Sequence, residues 1–412
     1  MALIVQKFGG TSVGSVERIR NVARRVAKWR AAGHQLVVVP SAMAGETNRL
    51  IALAKEIQSH PDPRELDVIA ATGEQVTIGL LAMALLELGV KARSYTGWQA
   101  DIVTNSSFNK ARIISINETK LRADLKEGFV AIVAGFQGID EAGNVTTLGR
   151  GGSDTSAVAV AAALRADVCE IYTDVDGVYT ADPRIVPSAR KLERVSYDEM
   201  LEMASLGAKV LQIRSVRFAM RYRVPLHVRS SFNDSTGTWV VPEEQVMEEL
   251  VVSGVTYNRN EAKIRVRGVR DVPGVAARLF SPLARDGVVV DMIIQNLSQD
   301  GATDMTFTVP RDAYARSLEL TRKTGREIGA QAVDGDPEIA KVSIVGLGMR
   351  DHAGVATRMF QALADEGINI QLISTSEIKV SVVIEEKYTE LAVRALHAAF
   401  VEAGAAAPAA ER

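Results

Sequence analysis

Residues 3–12 read LIVQKFGGTS, and this stretch indicates how the first half of the chain folds. Its apolar run stops at the glycine pair Gly9–Gly10, and apolar residues then recur at helical spacing up to Trp29. Further continuous apolar runs follow at Leu36–Val39 and Phe129–Ala134, and Glu170–Thr173 is read as a strand in the same way. Such strands separated by helices are typical of a parallel sheet covered on both faces. Residues 1 to about 235 are therefore predicted to form one α/β domain.

The C-terminal part contains an internal repeat. After the turn-rich NDSTG at Asn233–Gly237 and the acidic stretch Pro242–Glu249, RDVPGVAARLFSPLARDG (Arg270–Gly287) matches RDHAGVATRMFQALADEG (Arg350–Gly367). Predicted strands precede the copies at Ala262–Val266 and Lys341–Val345, and β-rich segments follow at Val288–Ile294 and Ile368–Ile373. We expect two copies of a small unit that contains β-α-β.

The composition argues against several classes of protein. A formal net charge of -2 disfavours a nucleic-acid or membrane-surface binder, and 5% aromatic residues disfavour base-stacking platforms. The single cysteine, Cys169, forbids an intrachain disulfide and a cysteine-based zinc site, and fits a reducing cytosol. The longest apolar run, Ala157–Leu164, is too short to span a bilayer. Since Met1–Val5 shows no basic-then-apolar leader, no secretory signal is expected. The five histidines show no metal-binding spacing, so no protein-held metal is expected.

The first candidate site is Lys7–Ser12, between a strand and a helix. Paired glycines permit a tight turn and close approach to a ligand, and a helix N-terminus favours anions. A lysine at the strand end suits phosphate. An ordinary strand-to-helix turn explains the spacing equally well, and the chain has no Walker A sequence.

The second candidate is Gly149–Ser156, GRGGSDTS, which opens a helix predicted to start near Ser153. The glycines expose backbone amides, Ser153 is a candidate cap, and Arg150 offers a planar fork for a carboxylate or phosphate. Asp154 is placed to orient nearby lysines. Plain capping accounts for the serine and the aspartate but leaves the preceding Arg-Gly-Gly unexplained.

The third candidate is Thr173–Arg184, TDVDGVYTADPR, directly after a predicted strand. An acidic loop there suits a metal–nucleotide complex, and Tyr179 is placed to contact a base; solvated turn residues or a calcium loop are the alternatives, the latter disfavoured by Pro183-Arg184. In a parallel sheet all three candidates lie at the same edge. Lysine, glycine amides, arginine and aspartates together describe a phosphoryl-transfer site.

These motifs resemble the aspartokinase family of the amino-acid kinase superfamily. The resemblance rests on KFGGTS, SAMAGETNRL (Ser41–Leu50), TGEQ (Thr72–Gln75), RGGSDTSA (Arg150–Ala157) and YTDVDGVYTADPR (Tyr172–Arg184), while the duplication resembles paired ACT domains. It implies a three-layer α/β/α kinase domain with a mainly parallel sheet, followed by two ferredoxin-like (βαββαβ) ACT domains. The implied limits are 1–245 for the kinase domain, 263–337 for the first ACT domain, and 250–262 plus 338–412 for the second.

The resemblance implies transfer of the ATP γ-phosphoryl group, with Mg²⁺, to the side-chain carboxylate of L-aspartate. Lys7 would stabilise the transferring group and Asp154 would organise the charges; Glu74 would face the substrate ammonium and Arg150 its α-carboxylate. Aspartate would also contact Thr47, Gly151, Gly152 and Ser153. The nucleotide would contact Lys7, Gly9, Gly10, Ser41, Thr173, Asp174, Tyr179, Arg184 and Lys209. The acceptor carboxylate needs no general base because it is already ionised near neutral pH.

The paired ACT domains imply feedback inhibition by lysine, threonine or both. The alternative is that the repeats only mediate dimerisation. The implied effector residues are Asp271, Gly274, Ala276 and Gln295, with Asn369 and Ile370 from a second copy, and at a further site Asp291, His352, Val355 and Ser376. The expected assembly is a homodimer or an α2β2 complex, for which Met247 is a candidate start of a separate subunit, in the cytoplasm.

Two other functions compete with this one. Another amino-acid-kinase activity, on acetylglutamate or uridylate, is disfavoured by the double ACT tail and the Glu74–Arg150 pair. A non-catalytic amino-acid sensor is disfavoured by the intact Lys7, Arg150 and Asp154. One departure from the family pattern is Pro40, directly before Ser41. Since proline lacks a ladder donor, we expect this strand to end one residue early.

Overall fold

The computed structural model describes residues 1–208, 210–246, 251–297 and 301–402. Lys209, Met247 and the C-terminal residues 403–412 lie outside this part. The chain divides into two compact units. The first comprises Met1–Val178, Lys191–Ala204 and Lys209–Met247, and the second comprises Tyr179–Arg190, Ser205–Ala208 and Glu248–Arg412. Two short segments that precede residue 245 therefore belong to the second unit, while the exact limits of the three predicted domains stay a prediction.

The first unit is built on an eight-stranded and a four-stranded sheet. Its strands are β1 (Leu3–Phe8), β2 (Gln35–Pro40), β3 (Ala92–Tyr95), β4 (Ile102–Thr104), β5 (Ile113–Ile116), β6 (Val130–Val133), β7 (Gln137–Ile139), β8 (Val145–Thr147), β9 (Val168–Thr173), β10 (Arg194–Ser196), β11 (Leu226–Ser230) and β12 (Thr238–Val241). The large sheet has the order β10-β12-β11-β9-β1-β2-β6-β3, and the small one β5-β4-β7-β8. In the large sheet only β11 and β12 pair antiparallel, so the predicted mainly parallel sheet is confirmed.

Helices cover both faces of the large sheet. They are α1 (Val16–Ala31), α2 (Glu46–Ile57), α3 (Pro63–Ala70), α4 (Thr72–Glu87), α5 (Thr119–Lys126), α6 (Gly152–Leu164), α7 (Tyr197–Ser205) and α8 (Ile213–Tyr222). α1 and α4 share one apolar core with β1, β2 and β6, where Leu36 and Val38 are buried. α6 packs on β1, β2, β9 and α8. This is the three-layer α/β/α arrangement.

The expected early end of β2 at Pro40 is wrong. Pro40 pairs with Phe8 of β1, and the Ser41 N–H donates to the Phe8 carbonyl at 2.9 Å. Because successive N–H groups alternate in direction, the donor that Pro40 lacks would point towards β6, and pairing with β6 already ends at Val38. Proline therefore removes no hydrogen bond that this sheet uses.

The second unit contains a six-stranded antiparallel sheet in the order β14-β15-β13-β16-β18-β17. Its strands are β13 (Gly254–Arg270), β14 (Ile293–Leu297), β15 (Ala302–Val309), β16 (Ala332–Val345), β17 (Leu372–Ser376) and β18 (Lys379–Glu385), and its helices are α9 (Val275–Arg285), α10 (Tyr314–Glu327), α11 (Val355–Asp365) and α12 (Thr389–His397). The order β13-α9-β14-β15-α10-β16 is one βαββαβ module. The later part of β16, with α11, β17, β18, α12 and the start of β13, forms another.

The duplication seen in the sequence is reproduced in detail. α9 and α11 begin at equivalent positions, and both are preceded by a left-handed glycine, Gly274 and Gly354, with φ of +89° and +87°. Each module has its own apolar core. The strands after these helices start later than predicted, at Ile293 and Leu372, because a turn at Gly287 and Gly367 and a short non-strand stretch come first.

Residues 179–190 are held by side chains of the second unit. The Tyr257 hydroxyl donates to Asp182 at 3.1 Å, and His397 Nε2 lies 2.9 Å from the Thr180 hydroxyl. The Arg190 guanidinium donates to the Val401 carbonyl at 3.0 Å. The later half of the third sequence motif is thus part of the second unit.

One helical stretch, Pro63–Glu87, passes a length and composition test for crossing a membrane. Half of its most apolar window is buried in the structure, and Ile78, Leu81 and Leu85 belong to the core of the first unit. A helix in the core of a protein can be equally long and apolar, and α4 is such a core helix. That the chain spans no membrane stays a prediction.

Candidate active site

One cavity of about 660 Å³ in the first unit gathers all of the predicted catalytic and substrate residues. It opens where β1, β2 and β6 end, as expected for ligands of a parallel sheet. The predicted residues that line it are Lys7, Gly10, Ser41, Thr47, Glu74, Arg150, Gly151, Gly152, Ser153 and Asp154. The first two sequence motifs therefore meet at one site, although they are about 140 residues apart in the chain.

A buried ion pair stands at the sheet edge of the cavity. Lys7 Nζ lies 2.5 Å from Asp154 Oδ1, and both side chains are nearly inaccessible to solvent. Lys7 is placed by β1, and Asp154 by the first turn of α6. The helix expected directly after the glycine pair is a 3₁₀ turn, Gly10–Val13, and α1 begins only at Val16. A Cβ on Gly10 would lie 3.0 Å from the Ala42 carbonyl oxygen, so only glycine lets these loops approach freely.

Glu74 contributes a buried carboxyl group to the cavity, and this group is negatively charged when it is ionised. Its Oε1 accepts the Ala42 N–H at 3.0 Å, and nothing in the described part of the chain hydrogen-bonds Oε2. Burial raises the pKa of Glu74 to about 7, against the lowering effect of the Ala42 hydrogen bond. A buried, unbonded carboxylate oxygen facing a cavity is suited to a cationic ligand.

The Arg150 loop supplies a cation. Arg150 is exposed, and its guanidinium contacts no partner within the described ranges. Gly151 precedes α6 with φ of +69°, and a Cβ there would come within 1.9 Å of Gln212 Cγ. The expectation that Ser153 caps α6 is wrong: the cap position is Gly151, and Ser153 lies buried in the first turn, against Gly135.

The predicted nucleotide residues are less concentrated. The Gly9 N–H donates to the Tyr172 carbonyl at 3.1 Å. Thr173 ends β9, and its hydroxyl donates a hydrogen bond of 3.1 Å to Asp174, the next residue. Tyr179 and Arg184 lie in the second unit, where Arg184 is exposed and pairs with Asp182 at 2.8 Å. Lys209 lies outside the described residues, so nothing tests its assignment.

Several cavity-lining residues were missed by the sequence reasoning. Among them are Met43, Asn48, Ile51, Asn109, Phe136, Thr147 and Gln212. Asn48 and Ile51 share a helix face with Thr47, so the helical spacing of SAMAGETNRL contained the signal. Asn109 and Gln212 come from loops far along the chain and carry no motif. Within the described ranges no group of three or more metal-ligating side chains exists.

The predicted effector residues fall into clusters of the second unit. Around the start of α9 lie Asp271, Gly274 and Ala276. Around the start of α11 lie His352 and Val355. Asp291 forms an ion pair with buried Lys341, which also pairs with Glu261 at 3.0 Å. Gln295 lies on β14, and Ser376 on β17. Asn369 and Ile370 come between α11 and β17, and the effector role of the whole set stays a prediction.

Comparisons with known proteins agree with this architecture. Residues 2–230 match the amino acid kinase family, and residues 264–323 and 342–400 match an ACT domain. An aspartate kinase of Pseudomonas putida is 65% identical over 401 residues, which cover 97% of this chain and 98% of that protein.

Solved structures show the same likeness. E. coli aspartokinase III in complex with aspartate and ADP (R-state) aligns with a TM-score of 0.81 at 27% identity, covering 96% of this chain and 99% of that one. The same enzyme in complex with lysine and aspartate (T-state) gives 0.75 at 27% identity, covering 97% and 99%. The predicted fold and family are confirmed: the chain belongs to the aspartokinase family, with an amino acid kinase domain and two ACT domains.

Proposed function

We propose that this protein is an aspartate kinase, a phosphotransferase with a carboxyl acceptor, which converts L-aspartate and ATP to 4-phospho-L-aspartate. The observation that carries the proposal is the charge pattern of the cavity. Buried Glu74 has one unbonded oxygen, and Arg150 has no partner among the described residues. An amino acid brings one ammonium and one α-carboxylate, and this pair of opposite charges matches them.

The reaction then depends on placement and charge. Glu74 binds the substrate ammonium and Arg150 the α-carboxylate, while Thr47, Gly151, Gly152 and Ser153 bound the same space. The side-chain carboxylate thereby faces Lys7, which neutralises charge on the γ-phosphoryl oxygens as the group moves. Asp154 holds the Lys7 ammonium at 2.5 Å. The acceptor is ionised at neutral pH, so no base is required.

The nucleotide is taken as the Mg²⁺ complex. Mg²⁺ normally keeps several waters and binds substrate phosphates with one or two carboxylates, so it does not require a preformed protein cage. Asp154, which lines the cavity, and Asp174, which follows β9, would supply such carboxylates. Gly9, Gly10 and Ser41 would line the phosphate path, and Thr173, Asp174, Tyr179, Arg184 and Lys209 are assigned to the nucleotide by family resemblance.

We further propose feedback inhibition by lysine, threonine or both through the ACT domains, in a cytoplasmic homodimer or α2β2 assembly. E. coli aspartokinase III has been solved with lysine, which supports an amino-acid effector for this architecture. The reaction would be the entry step to lysine, threonine and methionine synthesis.

The test of the activity is to trap and identify the product. The protein is incubated with ATP, Mg²⁺, L-aspartate and hydroxylamine, and the hydroxamate is identified by chromatography against authentic α- and β-isomers. We expect aspartate β-hydroxamate in amounts equal to the ADP formed. ADP release without hydroxamate, or the α-isomer, would contradict the proposed acceptor group.

A further inference from the structure

Two charged side chains next to the cavity hold the backbone that leads to Arg150. The first is Asp67 of α3, which is fully buried. Its carboxylate accepts the N–H of Asn109 at 3.0 Å and both the N–H and the hydroxyl of Thr147, at 2.8 and 2.5 Å. One side chain thus fixes two segments that are far apart in sequence.

The second is Arg214, at the start of α8. Its Nη1 donates to the Leu148 carbonyl at 2.6 Å, and its Nη2 donates to the Ala111 carbonyl at 3.0 Å. The same two segments also bond directly, since the Ala111 N–H donates to the Thr147 carbonyl at 2.9 Å. Residues 109–111 and 147–148, the paired segments, are therefore bridged by Asp67 at one position and by Arg214 at the next.

The paired segments determine where Arg150 can lie. Gly149 follows directly, with φ of +78°, and a Cβ on it would lie 2.8 Å from the Asn109 carbonyl oxygen. On the other side of Arg150, Gly151 rests against Gln212, two residues before Arg214. The start of α8 therefore supports the loop both before and after Arg150.

The chemistry of Arg214 favours this holding role. Its guanidinium is half-buried and forms no ion pair within the described part of the chain. Burial, together with nearby Arg112, lowers the pKa of Arg214. A buried cation without a carboxylate is costly unless its donors are satisfied. The planar fork of arginine reaches two carbonyl oxygens at once from two different nitrogens, whereas lysine carries all three of its N–H donors on one nitrogen.

We propose that Arg214 is a positioning residue of the phosphoryl-transfer site: by bridging the carbonyls of Ala111 and Leu148 it fixes the loop that presents Arg150 to the substrate carboxylate. This inference rests on the proposed aspartate kinase function for the identity of that substrate. It concerns aspartate binding and not the nucleotide, since neither bridged carbonyl belongs to a residue assigned to ATP.

The first test is the KM for each substrate in the full-length enzyme carrying Arg214→Lys or Arg214→Met. Both variants are expected to raise the KM for aspartate on the order of tenfold or more, with the KM for ATP changed less than about twofold. Arg217→Met, an exposed arginine on the same helix, is the control and should change neither value. A normal KM for aspartate in Arg214→Lys would overturn the proposal, because that variant keeps the charge and loses only the fork.

The second test does not depend on turnover. Deuterium uptake by a peptide that covers residues 147–152 is compared in the wild type, Arg214→Lys and Asp67→Asn, with Glu65→Gln as the control on α3. We expect several-fold faster deuterium uptake in Arg214→Lys and in Asp67→Asn, and wild-type uptake in Glu65→Gln. Unchanged uptake in both variants would refute the positioning role. If uptake rises while the wild type does not phosphorylate aspartate, the positioning role stands and the proposed function fails.

Discussion

Glu74 is the residue whose charge state most directly connects the fold to substrate binding. With a pKa of about 7, the Glu74 carboxyl group changes its charge around neutral pH. Only the ionised carboxylate attracts the substrate ammonium. We therefore expect the KM for aspartate to rise as pH falls below 7, and this dependence to be lost in Glu74→Gln, with a KM raised on the order of tenfold or more. Initial rates between pH 6 and 8.5 measure both effects.

The control is Glu87→Gln, on the exposed end of the same helix, which should retain the wild-type pH profile. A KM for aspartate that changes with pH equally in wild type and Glu74→Gln would show that another group is responsible.

The raised pKa of Glu74 also predicts how the stability of the protein depends on pH. The folded-state pKa of Glu74 lies above the unfolded value of 4.5, so the folded protein binds a proton that the unfolded chain releases between these values. This contribution is present below pH 4.5 and is lost as pH rises through 7, and it amounts to about 3 kcal/mol. Glu74→Gln should therefore be more stable than wild type at pH 8 and nearly equal to it at pH 4.5, as measured by denaturant unfolding. An equal difference at both pH values would be inconsistent with the raised pKa.

Lys7 is the residue expected to act on the moving phosphoryl group. Lys7→Met should lower kcat by about a thousandfold or more, with a modest change in the KM for ATP, because its charge matters most in the transition state. The substitution also leaves Asp154 buried without its cation, so stability must be separated from catalysis. The double variant Lys7→Met/Asp154→Asn should recover stability but not activity. Near-wild-type kcat in a folded Lys7→Met protein would remove Lys7 from the mechanism.

At the scale of elements, the turn between β8 and α6 is constrained by the backbone conformation and close contacts of its glycines. Alanine at position 151 would adopt φ of +69° and collide with Gln212, so we expect Gly151→Ala to cost about 2–3 kcal/mol of unfolding free energy and to raise the KM for aspartate. Gly143→Ala also has a positive φ but meets nothing within 4 Å, so it should cost about 1 kcal/mol and leave activity unchanged. Adding Gln212→Ala to Gly151→Ala should recover part of the loss. If the two glycine variants lose equal stability, the contact with Gln212 is unimportant.

Elements that repeat a simple pattern could be predicted from the sequence. The spacing of Ile19, Val22 and Val26 predicted α1. The repeated segments Arg270–Gly287 and Arg350–Gly367 predicted α9 and α11. Capping could not be predicted from residue preference, because the backbone at Gly151 is set by contact with Gln212, about 60 residues later. Pro40 likewise had no effect, since the missing donor faces a position where β6 has already ended.

At the scale of the whole molecule, the sequence located the motifs but not the unit to which each belongs. Arg150 and Glu74 could be paired because their charges complement an amino acid. That residues 179–190 belong to the second unit could not be predicted, because it depends on single contacts such as that of Tyr257 with Asp182. Arg214 and Asp67 were missed for a related reason, since both act on backbone groups and leave no motif.

Regulation belongs to this scale as well. An effector changes activity only to the extent that it binds an inactive state better than the active one. We expect lysine, threonine or their mixture to inhibit the wild type, and Gln295→Ala on β14 to relieve inhibition while leaving uninhibited turnover nearly intact. Gln361→Ala, on the surface of α11, is the control and should remain inhibited. Unchanged inhibition of Gln295→Ala by every candidate amino acid would place the effector site elsewhere.

The most direct measurement is the kcat/KM of the full-length protein for three phosphoryl acceptors: L-aspartate, N-acetyl-L-glutamate and UMP. ATP and Mg²⁺ are held constant, and ADP formation is followed for each. The pairing of Glu74 with Arg150 predicts a preference for L-aspartate of at least about a thousandfold, because N-acetylation removes the ammonium and UMP offers neither group. Turnover with N-acetyl-L-glutamate or UMP but not with L-aspartate would contradict the account.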